Sequence, residues 1–158
     1  MIQSPSATVC EIGRDSLLQI KGIGMSEVKF EGHPDVSRVT FVIHGENLDF
    51  DVISSALALL PTHTHRKGEL NRLGEVFSHD MWALTAPIPS SEQPLDSALK
   101  WLIDNLEPSY GFITSLKDKA NTHIYCGITT DLEQSGFSLS SDALTIFTRL
   151  GIPMYMSI

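Results

Sequence analysis

The sequence predicts an α+β fold in which helices cover an antiparallel or mixed sheet, and two patterns and their order support this prediction. Several short segments alternate apolar and polar residues, which is the period of a strand with one buried face. Other segments place apolar residues three and four positions apart, which is the period of an amphipathic helix. The segments follow in the order β-α-β-α-α-β-α-β, so a strand–helix–strand unit occurs twice, as in a doubled sandwich.

Length and composition indicate a single domain over residues 1–158. A chain of 158 residues with 42% hydrophobic and 19% charged residues has enough apolar side chains to build its own core. The first residues carry short apolar stretches broken by glycines, without a sustained period. We therefore expect an irregular N-terminal extension over residues 1–36 and a folded core over residues 37–158.

The first strand and the first helix of the core have clear sequence patterns. Alternating residues predict a strand that Gly45 ends. Asp49 is the predicted N-cap of the following helix, because a short carboxylate accepts hydrogen bonds from the free N–H groups of a first turn. Pro61 is expected to stop this helix. The apolar face of the strand consists of Val39, Phe41 and Ile43.

The rest of the core is predicted as strands and helices that are separated by proline, serine and glycine. Trp82, Leu84 and Ala86 are expected on one face of the next strand. The predicted elements are a strand over residues 77–86, a helix from Pro94 to Leu106, a shorter helix over residues 109–119, a strand over residues 123–129, a helix capped by Ser140 or Ser141 and closed by Gly151, and a terminal strand over residues 152–158.

The charge and cysteine content exclude or disfavour several classes of protein. With 19 acidic and 11 basic residues, the net charge is -8, which disfavours nucleic-acid binding and favours a basic partner. Two distant cysteines, Cys10 and Cys126, indicate reduced thiols and no disulfide framework. The longest apolar run, residues 56–60, is too short to cross a bilayer, and the N-terminus has no secretory pattern. We expect a cytoplasmic protein without a membrane segment.

The main candidate for a ligand-binding segment is Arg66-Lys67-Gly68-Glu69. Gly68 permits a tight turn with positive φ, Arg66 offers planar donors to a carboxylate or phosphate, and Lys67 adds a point charge. The alternative, which we favour, is a solvated turn whose charges pair with Glu69, with Glu75 or with the end of a strand.

Histidines suggest two further kinds of site, and neither has a complete motif. His63, His65 and His79 form a possible zinc trio, although surface or hydrogen-bonded histidines are the favoured alternative. His44 and His123 have the residue type of a general base near neutral pH, with Asp80 or Glu46 as a partner. No nucleophile elbow and no phosphate-binding glycine loop occurs, so the sequence predicts no catalytic residue, no metal and no cofactor.

A partner surface is predicted from one aromatic residue and a set of acidic ones. Trp101 lies on the flank of its helix stripe and is the better candidate for an exposed anchor. The acidic residues follow two apolar strands, and they would form one negative patch if both loops lie at the same edge of the sheet. Helix capping is the favoured alternative for Asp49. The residues of the predicted patch are Glu46, Asp51, Asp131 and Glu133.

Motifs spread over most of the chain resemble a family of small bacterial proteins, the domain of unknown function 4279. The resemblance rests on the strand and Asp-led helix from Arg38 to Leu59, Leu60-Pro61-Thr62 followed by Arg66-Lys67-Gly68-Glu69, Met81-Trp82, the stretch from Trp101-Leu102 through Leu106-Glu107-Pro108, and the tail from Leu139-Ser140 to Leu150-Gly151. It implies an α+β fold and little established chemistry. Some relatives look like immunity proteins, in which a small acidic protein neutralises a toxin domain by binding it. The N-terminal extension departs from the family's usual start.

Together these observations favour a non-catalytic binding protein, and most concretely an immunity-type protein that neutralises a basic toxin domain. The alternative from another class is a small-molecule-binding or hydrolytic enzyme that uses residues 63–69. A third possibility is a homodimer that forms through an edge strand such as the terminal one.

Overall fold

A computed structural model describes residues 35–129 and 137–158 of the chain. The elements are β1 (Asp35–Gly45), α1 (Phe50–Leu57), β2 (His63–His65), β3 (Asp80–Thr85), α2 (Pro94–Leu106) with a 3₁₀ turn (Glu107–Ser109), α3 (Tyr110–Ser115), β4 (Ala120–Thr129), α4 (Ser141–Leu150) and β5 (Met154–Ser157). Within these described residues, no helix has the length and apolar character needed to cross a membrane.

The five strands form one open, mixed sheet in the order β2-β3-β1-β4-β5. The pairs on both sides of β1 and the β2–β3 pair are antiparallel, whereas β4 and β5 are parallel and α4 connects them. The long central strand β1 pairs with β3 on one side and with β4 on the other, so that Phe41 lies between Leu84 and Ile124. The predicted α+β class with a mixed sheet is therefore confirmed.

The hydrophobic core lies between one face of the sheet and the helices, as the alternation in the sequence predicts. Phe41, Trp82 and Ile124 of the three central strands are fully buried on this face. The apolar stripe of α2 packs against them, together with residues of α4. The helical residues of this contact are Leu95, Ala98, Leu99, Leu102 and Leu106 of α2 and Ala143, Ile146 and Leu150 of α4.

The predicted N-caps of α1 and α4 and the predicted glycine end of α4 are confirmed, whereas α1 ends at Leu57, before the expected stop at Pro61, with Ala58 in a left-handed conformation at φ 53°. The Asp49 carboxylate accepts from the N–H groups of Asp51 and Val52, both at 3.1 Å, and so caps α1. Ser140 caps α4 by accepting from the N–H of Ala143 at 3.2 Å. Gly151 ends α4 with φ 58°, a left-handed conformation in which an L-residue is strained.

Several element boundaries differ from the sequence-based expectation; β4, for example, begins at Ala120 and not at residue 123. The short strand β2 lies in a segment that was expected to have no regular structure. β3 begins at Asp80 and not at residue 77, because the residues before Asp80 belong to a separate hairpin. α3 ends at Ser115, earlier than expected, because the N–H of Lys119 bonds to the Leu116 carbonyl and closes a turn.

Two expectations from the sequence fall wholly or partly on residues that are not described. Of the predicted irregular extension over residues 1–36, only Asp35 and Val36 are described, and they belong to β1. Cys126 is a buried free thiol, as expected, and burial raises its pKa to about 11. Cys10 lies outside the described residues.

Candidate functional site

Asp80, at the start of β3, organises the segment that the sequence singled out as a ligand site. Its carboxylate is almost fully buried and accepts three N–H donors: from the backbone of Leu48 at 2.9 Å, from the backbone of Lys67 at 2.8 Å and from Arg66 Nη1 at 3.1 Å. We call these four residues the Asp80 clasp. The hydrogen bond from the Lys67 backbone, and then those from Leu48 and Arg66, hold the pKa of Asp80 below its ordinary value despite burial.

The charged side chains of residues 66–69 are engaged with other parts of the chain. Arg66 Nη1 also donates to the Leu48 carbonyl at 2.5 Å, and the guanidinium carbon lies 3.6 Å from the ring centre of Phe50. Lys67 Nζ lies 2.7 Å from Glu46 Oε1, and Glu69 accepts from the Arg66 backbone N–H at 2.8 Å. Arg66 pairs with Asp80 at the start of β3, which is the strand-end pairing of the favoured interpretation, and Lys67 pairs with Glu46. Glu69 bonds to the backbone N–H of Arg66 and not to its charged group, and Glu75 bonds to Asn71.

Gly68 and the residues after it form a hairpin that projects from this clasp. Gly68 has φ 89°, as the predicted tight turn requires. The two arms are joined by the hydrogen bonds from Gly68 N to the Phe77 carbonyl and from Phe77 N to the Glu69 carbonyl, both 2.9 Å, and by a bridge between Leu70 and Val76. We call residues 69–77 the apolar hairpin, because its surface carries exposed Leu70, Leu73 and Val76.

The tip of the apolar hairpin is held in one conformation by Asn71. The Asn71 side-chain oxygen accepts from the N–H groups of Leu73 at 2.8 Å and of Glu75 at 3.0 Å. Its amide donates to the Glu75 carboxylate at 3.0 Å, and its backbone bonds to both Glu75 and Gly74. A tip with this many internal hydrogen bonds holds its exposed apolar side chains in a fixed arrangement.

The face of the sheet opposite the helices carries five histidines in one row. Residues two apart on a strand share a face, and the register of the sheet brings these rings together. The ring centres of His44 and His79 are 4.7 Å apart, and those of His44 and His123 are 5.3 Å apart. His65 lies 6.0 Å from His79 and 5.7 Å from His63. We call these five residues the histidine face.

The electrostatics of the histidine face favour uncharged rings. Desolvation, and after it the repulsion from neighbouring histidines, lowers the pKa of His44, His65 and His123. His65 is 7% exposed, stacks on Phe77 with ring centres 3.5 Å apart, and has no hydrogen-bond partner for either ring nitrogen among the described residues. A buried imidazole without partners costs about 1–3 kcal/mol.

The metal and base alternatives from the sequence find little support in this arrangement. In residues 35–129 and 137–158, no group of three histidine, cysteine or acidic side chains is placed to hold a metal ion, so the trio of His63, His65 and His79 is not formed. Asp80, the expected carboxylate partner of His44 or His123, is occupied by the clasp.

Three residues of the predicted partner surface, Trp101, Glu46 and Asp51, lie in the described part of the chain. Trp101 is partly buried and packs against the core, so its indole is less open than an exposed anchor requires. Asp51 is exposed in the first turn of α1, and Glu46 is paired with Lys67. The described end of β4, Thr129, pairs with Asp35 at the opposite end of β1 from Glu46, because the two strands are antiparallel.

The condition for one acidic patch, namely that both loops leave the sheet at the same edge, is therefore not met where β1 and β4 end. Asp131 and Glu133 themselves lie outside the described residues. The patch was predicted because both acidic loops follow an apolar strand. This pattern does not show whether the two strands run in the same direction.

The sequence analysis predicted neither the apolar hairpin nor the arrangement of the five histidines in one row. The hairpin has a local pattern that could have revealed it, since asparagine and glycine three apart between apolar residues are typical of a turn (Asn71 and Gly74). The histidine face has no such local pattern, because its members come from four different places in the sheet. The clasp links residues 14 and 32 positions apart, which no short motif records.

The comparisons with known proteins agree with the resemblance noted in the sequence. No curated protein and no solved structure matches the chain. The family model described as "Domain of unknown function (DUF4279)" matches residues 35–158, which include every strand and helix described above. The chain therefore belongs to the DUF4279 family.

Proposed function

We propose that this chain is a non-catalytic binding protein that docks a protein partner with its apolar hairpin. The observation that carries this proposal is the exposure of three apolar side chains on a tip with a fixed conformation: Leu70, Leu73 and Val76 are 67%, 84% and 64% exposed. A hydrophobic tip in water is disfavoured unless another surface covers it for part of its life. A protein partner is a suitable cover, because Leu70 and Leu73 border a cavity whose other side is formed by Arg38, His63 and Thr85 of the sheet and its flanks.

The fixed conformation of the hairpin favours binding to a macromolecule. Ordering a loop on association costs free energy, and a tip that Asn71 already orders avoids most of that cost. Apolar side chains of this kind act as anchors at the centre of interfaces, surrounded by polar residues. Glu69 and Glu75 at the arms of the hairpin provide such surroundings.

More specifically, we propose an immunity-type protein that neutralises a basic toxin domain in the cytoplasm. The net charge of -8 supports a basic partner, because complementary charge accelerates encounter and disfavours other partners. The resemblance of some family members to immunity proteins supports the same class. A direct-binding inhibitor needs no catalytic group, which agrees with the engagement of Arg66, Lys67 and Glu69 inside the protein.

The test is a capture experiment from an extract of the source cells with three tagged baits, read by mass spectrometry. The baits are the wild-type chain, Leu73→Asp at the hairpin tip, and Leu144→Asp as a matched control. Leu144 is an exposed leucine of α4, on the helical side of the sheet. We expect a protein that the wild type and Leu144→Asp capture equally and that Leu73→Asp loses by at least about tenfold.

Two results would contradict the proposal. A partner retained by Leu73→Asp would show that the hairpin is not the anchor. Capture of no common protein by the wild type and the Leu144→Asp bait, at either low or high salt, would remove the protein-binding function and favour the small-molecule alternative. That alternative, an enzyme using residues 63–69, would have to act through His63 and His65, because the charged residues 66, 67 and 69 are already paired.

A second candidate is self-association through β5. β5 is an edge strand, and the exposed Tyr155, Met156 and Ile158 lie on it or directly after it. An unprotected edge with apolar side chains can pair with the same edge of a second copy. Light scattering that gives twice 17.4 kDa at high protein concentration, reverting on dilution, would support the dimer. A constant monomer mass would exclude it.

A further inference from the structure

The histidine face continues as a row of rings across all five strands. Tyr155 of β5 lies 5.1 Å from His123 of β4, which lies 5.3 Å from His44 of β1. From His44 the row passes to His79 before β3, and from there to His65 and His63 of β2. The row contains five imidazoles. One of them, His65, is nearly buried, and neither of its ring nitrogens has a hydrogen-bond partner among the described residues. Neither the packing of the core nor the hairpin explains this arrangement.

A groove of about 400 Å³ lies along this row. Its floor is apolar and consists of Val42, Met81 and Ala83, which point away from the core face of their strands. Four histidines and Tyr125 line its sides, and Arg38 also borders it. None of the described residues that line it is acidic, although the whole chain carries a net charge of -8.

We propose that this groove binds a small planar organic anion, such as an aromatic carboxylate. Arg38 provides the planar donors that a carboxylate accepts in pairs. The apolar floor and the flanking rings suit the flat apolar part of such a molecule, which stacks or packs edge-on against them. The absence of carboxylates among the lining residues removes the like charge that would repel it. The groove shares Arg38, His63 and Thr85 with the cavity beside the hairpin tip, but the inference rests on the histidine face and not on the proposed protein-binding function.

Protonation of the histidines strengthens this binding. The bound anion favours imidazolium, so binding raises the lowered pKa of the neighbouring histidines and becomes tighter as the pH falls below about 6.5. The nearest acidic groups that act on the row are Glu69 and Asp80, and both act on His65. The groups that face the groove or its row of rings are Arg38 and His44 from β1, His63 and His65 from β2, His79 before β3, His123 and Tyr125 from β4, and Tyr155 from β5.

The experiment titrates the full chain with sodium benzoate and follows the histidine ring signals by NMR at pH 6.0 and pH 8.0. We expect the signals of His63 and His123, which lie closer to Arg38 in the strand register than His44 does, to shift with benzoate, and the Kd to be at least about fivefold higher at pH 8.0. Arg38→Gln should raise the Kd at pH 6.0 by about tenfold or more, since it removes a charge-assisted pair of hydrogen bonds. Arg149→Gln, a change of the same kind on α4, should leave the Kd unchanged.

Three probe molecules make the ligand class testable. Benzamide has the same ring without the charge and should bind at least about tenfold more weakly at pH 6.0. Inorganic phosphate has charge without a ring and should also bind more weakly than benzoate. Equal binding of benzamide, or of phosphate, would contradict the assignment to a planar anion. Stoichiometric binding of Zn²⁺ that displaces benzoate would also contradict the assignment and would indicate a metal site.

A hairpin variant separates this inference from the proposed function. Val76→Asp, in the same hairpin, should leave benzoate binding at the wild-type level, because Val76 lines neither this groove nor the neighbouring cavity that Leu70 and Leu73 share with Arg38. Benzoate binding that is independent of pH, or that survives Arg38→Gln unchanged, would overturn the anion site while leaving the protein-binding proposal intact.

Discussion

At the scale of single residues, Asp80 shows how one buried carboxylate can join parts of the chain that are distant in sequence. It holds the loop after β1, the turn before the apolar hairpin and the start of β3 through three N–H donors. A buried carboxylate that accepts several N–H groups has a firmly stabilised charge. Arg66 and Lys67 therefore have a structural role that their charge alone, seen in the sequence, does not distinguish from ligand binding.

Replacing Asp80 is expected to destabilise the fold. Asp80→Ala leaves the N–H groups of Leu48 and Lys67 and the Arg66 guanidinium without their acceptor, so we predict a loss of about 2–4 kcal/mol in the free energy of unfolding. Urea unfolding followed by the fluorescence of Trp82 and Trp101 measures it. Asp104→Ala, on the exposed face of α2, is the control and should change stability by less than about 0.5 kcal/mol. Equal stability of the two variants would contradict the role of the clasp.

The histidine face predicts a stability that decreases at mildly acidic pH. The pKa of His44, His65 and His123 is lowered in the folded state, so below about pH 6.5 the unfolded chain takes up protons that the folded chain does not. The urea midpoint should therefore be lower at pH 5.0 than at pH 7.5. The double variant His44→Gln/His123→Gln should show a smaller decrease over the same interval. An unchanged decrease in the double variant would mean that other groups cause it.

At the scale of elements, the helices and strands with a strong period were predictable from the sequence, whereas the hairpin has only a short turn pattern without a period. Asp49, Ser140 and Gly151 are placed at helix ends as their residue types predict, because capping depends only on local hydrogen bonds. The strand β2 and the hairpin are not periodic. They are stabilised by contacts with the strand β3 and by the side chain of Asn71, which the hydrophobic pattern does not record.

For the candidate sites, likewise, the residue types could be recognised in the sequence but their arrangement could not. Each histidine of the histidine face was visible in the sequence, and His44 and His123 could be assigned to the less apolar faces of their strands. Their arrangement in one row depends on the strand order β2-β3-β1-β4-β5, which places β1 between two strands that are distant in sequence. The acidic patch expected from Glu46 and Asp131 needed the relative direction of β1 and β4, which the sequence pattern does not give, and Asp131 lies outside the described residues.

The conformation of the hairpin gives a prediction at this scale. Asn71→Ala removes the acceptor of the Leu73 and Glu75 N–H groups, so the tip should become mobile while the sheet stays folded. We expect partner affinity to fall by about 5- to 30-fold, the cost of ordering the tip on binding, with global stability reduced by less than about 1 kcal/mol. Calorimetric titration with the captured partner and urea unfolding measure the two quantities. Asn105→Ala, in α2, serves as the control for affinity.

At the scale of the whole molecule, the chain combines a strongly acidic composition with an apolar anchor, the apolar hairpin. The charge of -8 is a property of the complete sequence and acts over distances of about a Debye length, whereas the hairpin acts only on contact. The two features therefore affect different steps of binding. Charge sets the rate of encounter with a basic partner, and burial of the anchor sets the lifetime of the complex.

This division predicts a specific dependence on salt. Between 50 mM and 500 mM NaCl, the association rate constant with the captured partner should fall by at least about tenfold, with little change in the dissociation rate. Leu73→Asp should instead increase the dissociation rate at both salt concentrations. Surface plasmon resonance gives both rates. An association rate that is independent of salt would contradict electrostatic steering by the acidic chain.

The measurement that tests the central claim most directly is amide hydrogen exchange of the chain with and without its captured protein partner. If the apolar hairpin is the anchor, the N–H groups of residues 70–76 that lack partners should exchange at least about tenfold more slowly in the complex, with smaller changes in α2 and α4. Slower exchange confined to β5, or to the strands that carry the histidine face, with the hairpin unchanged, would contradict the proposed binding surface.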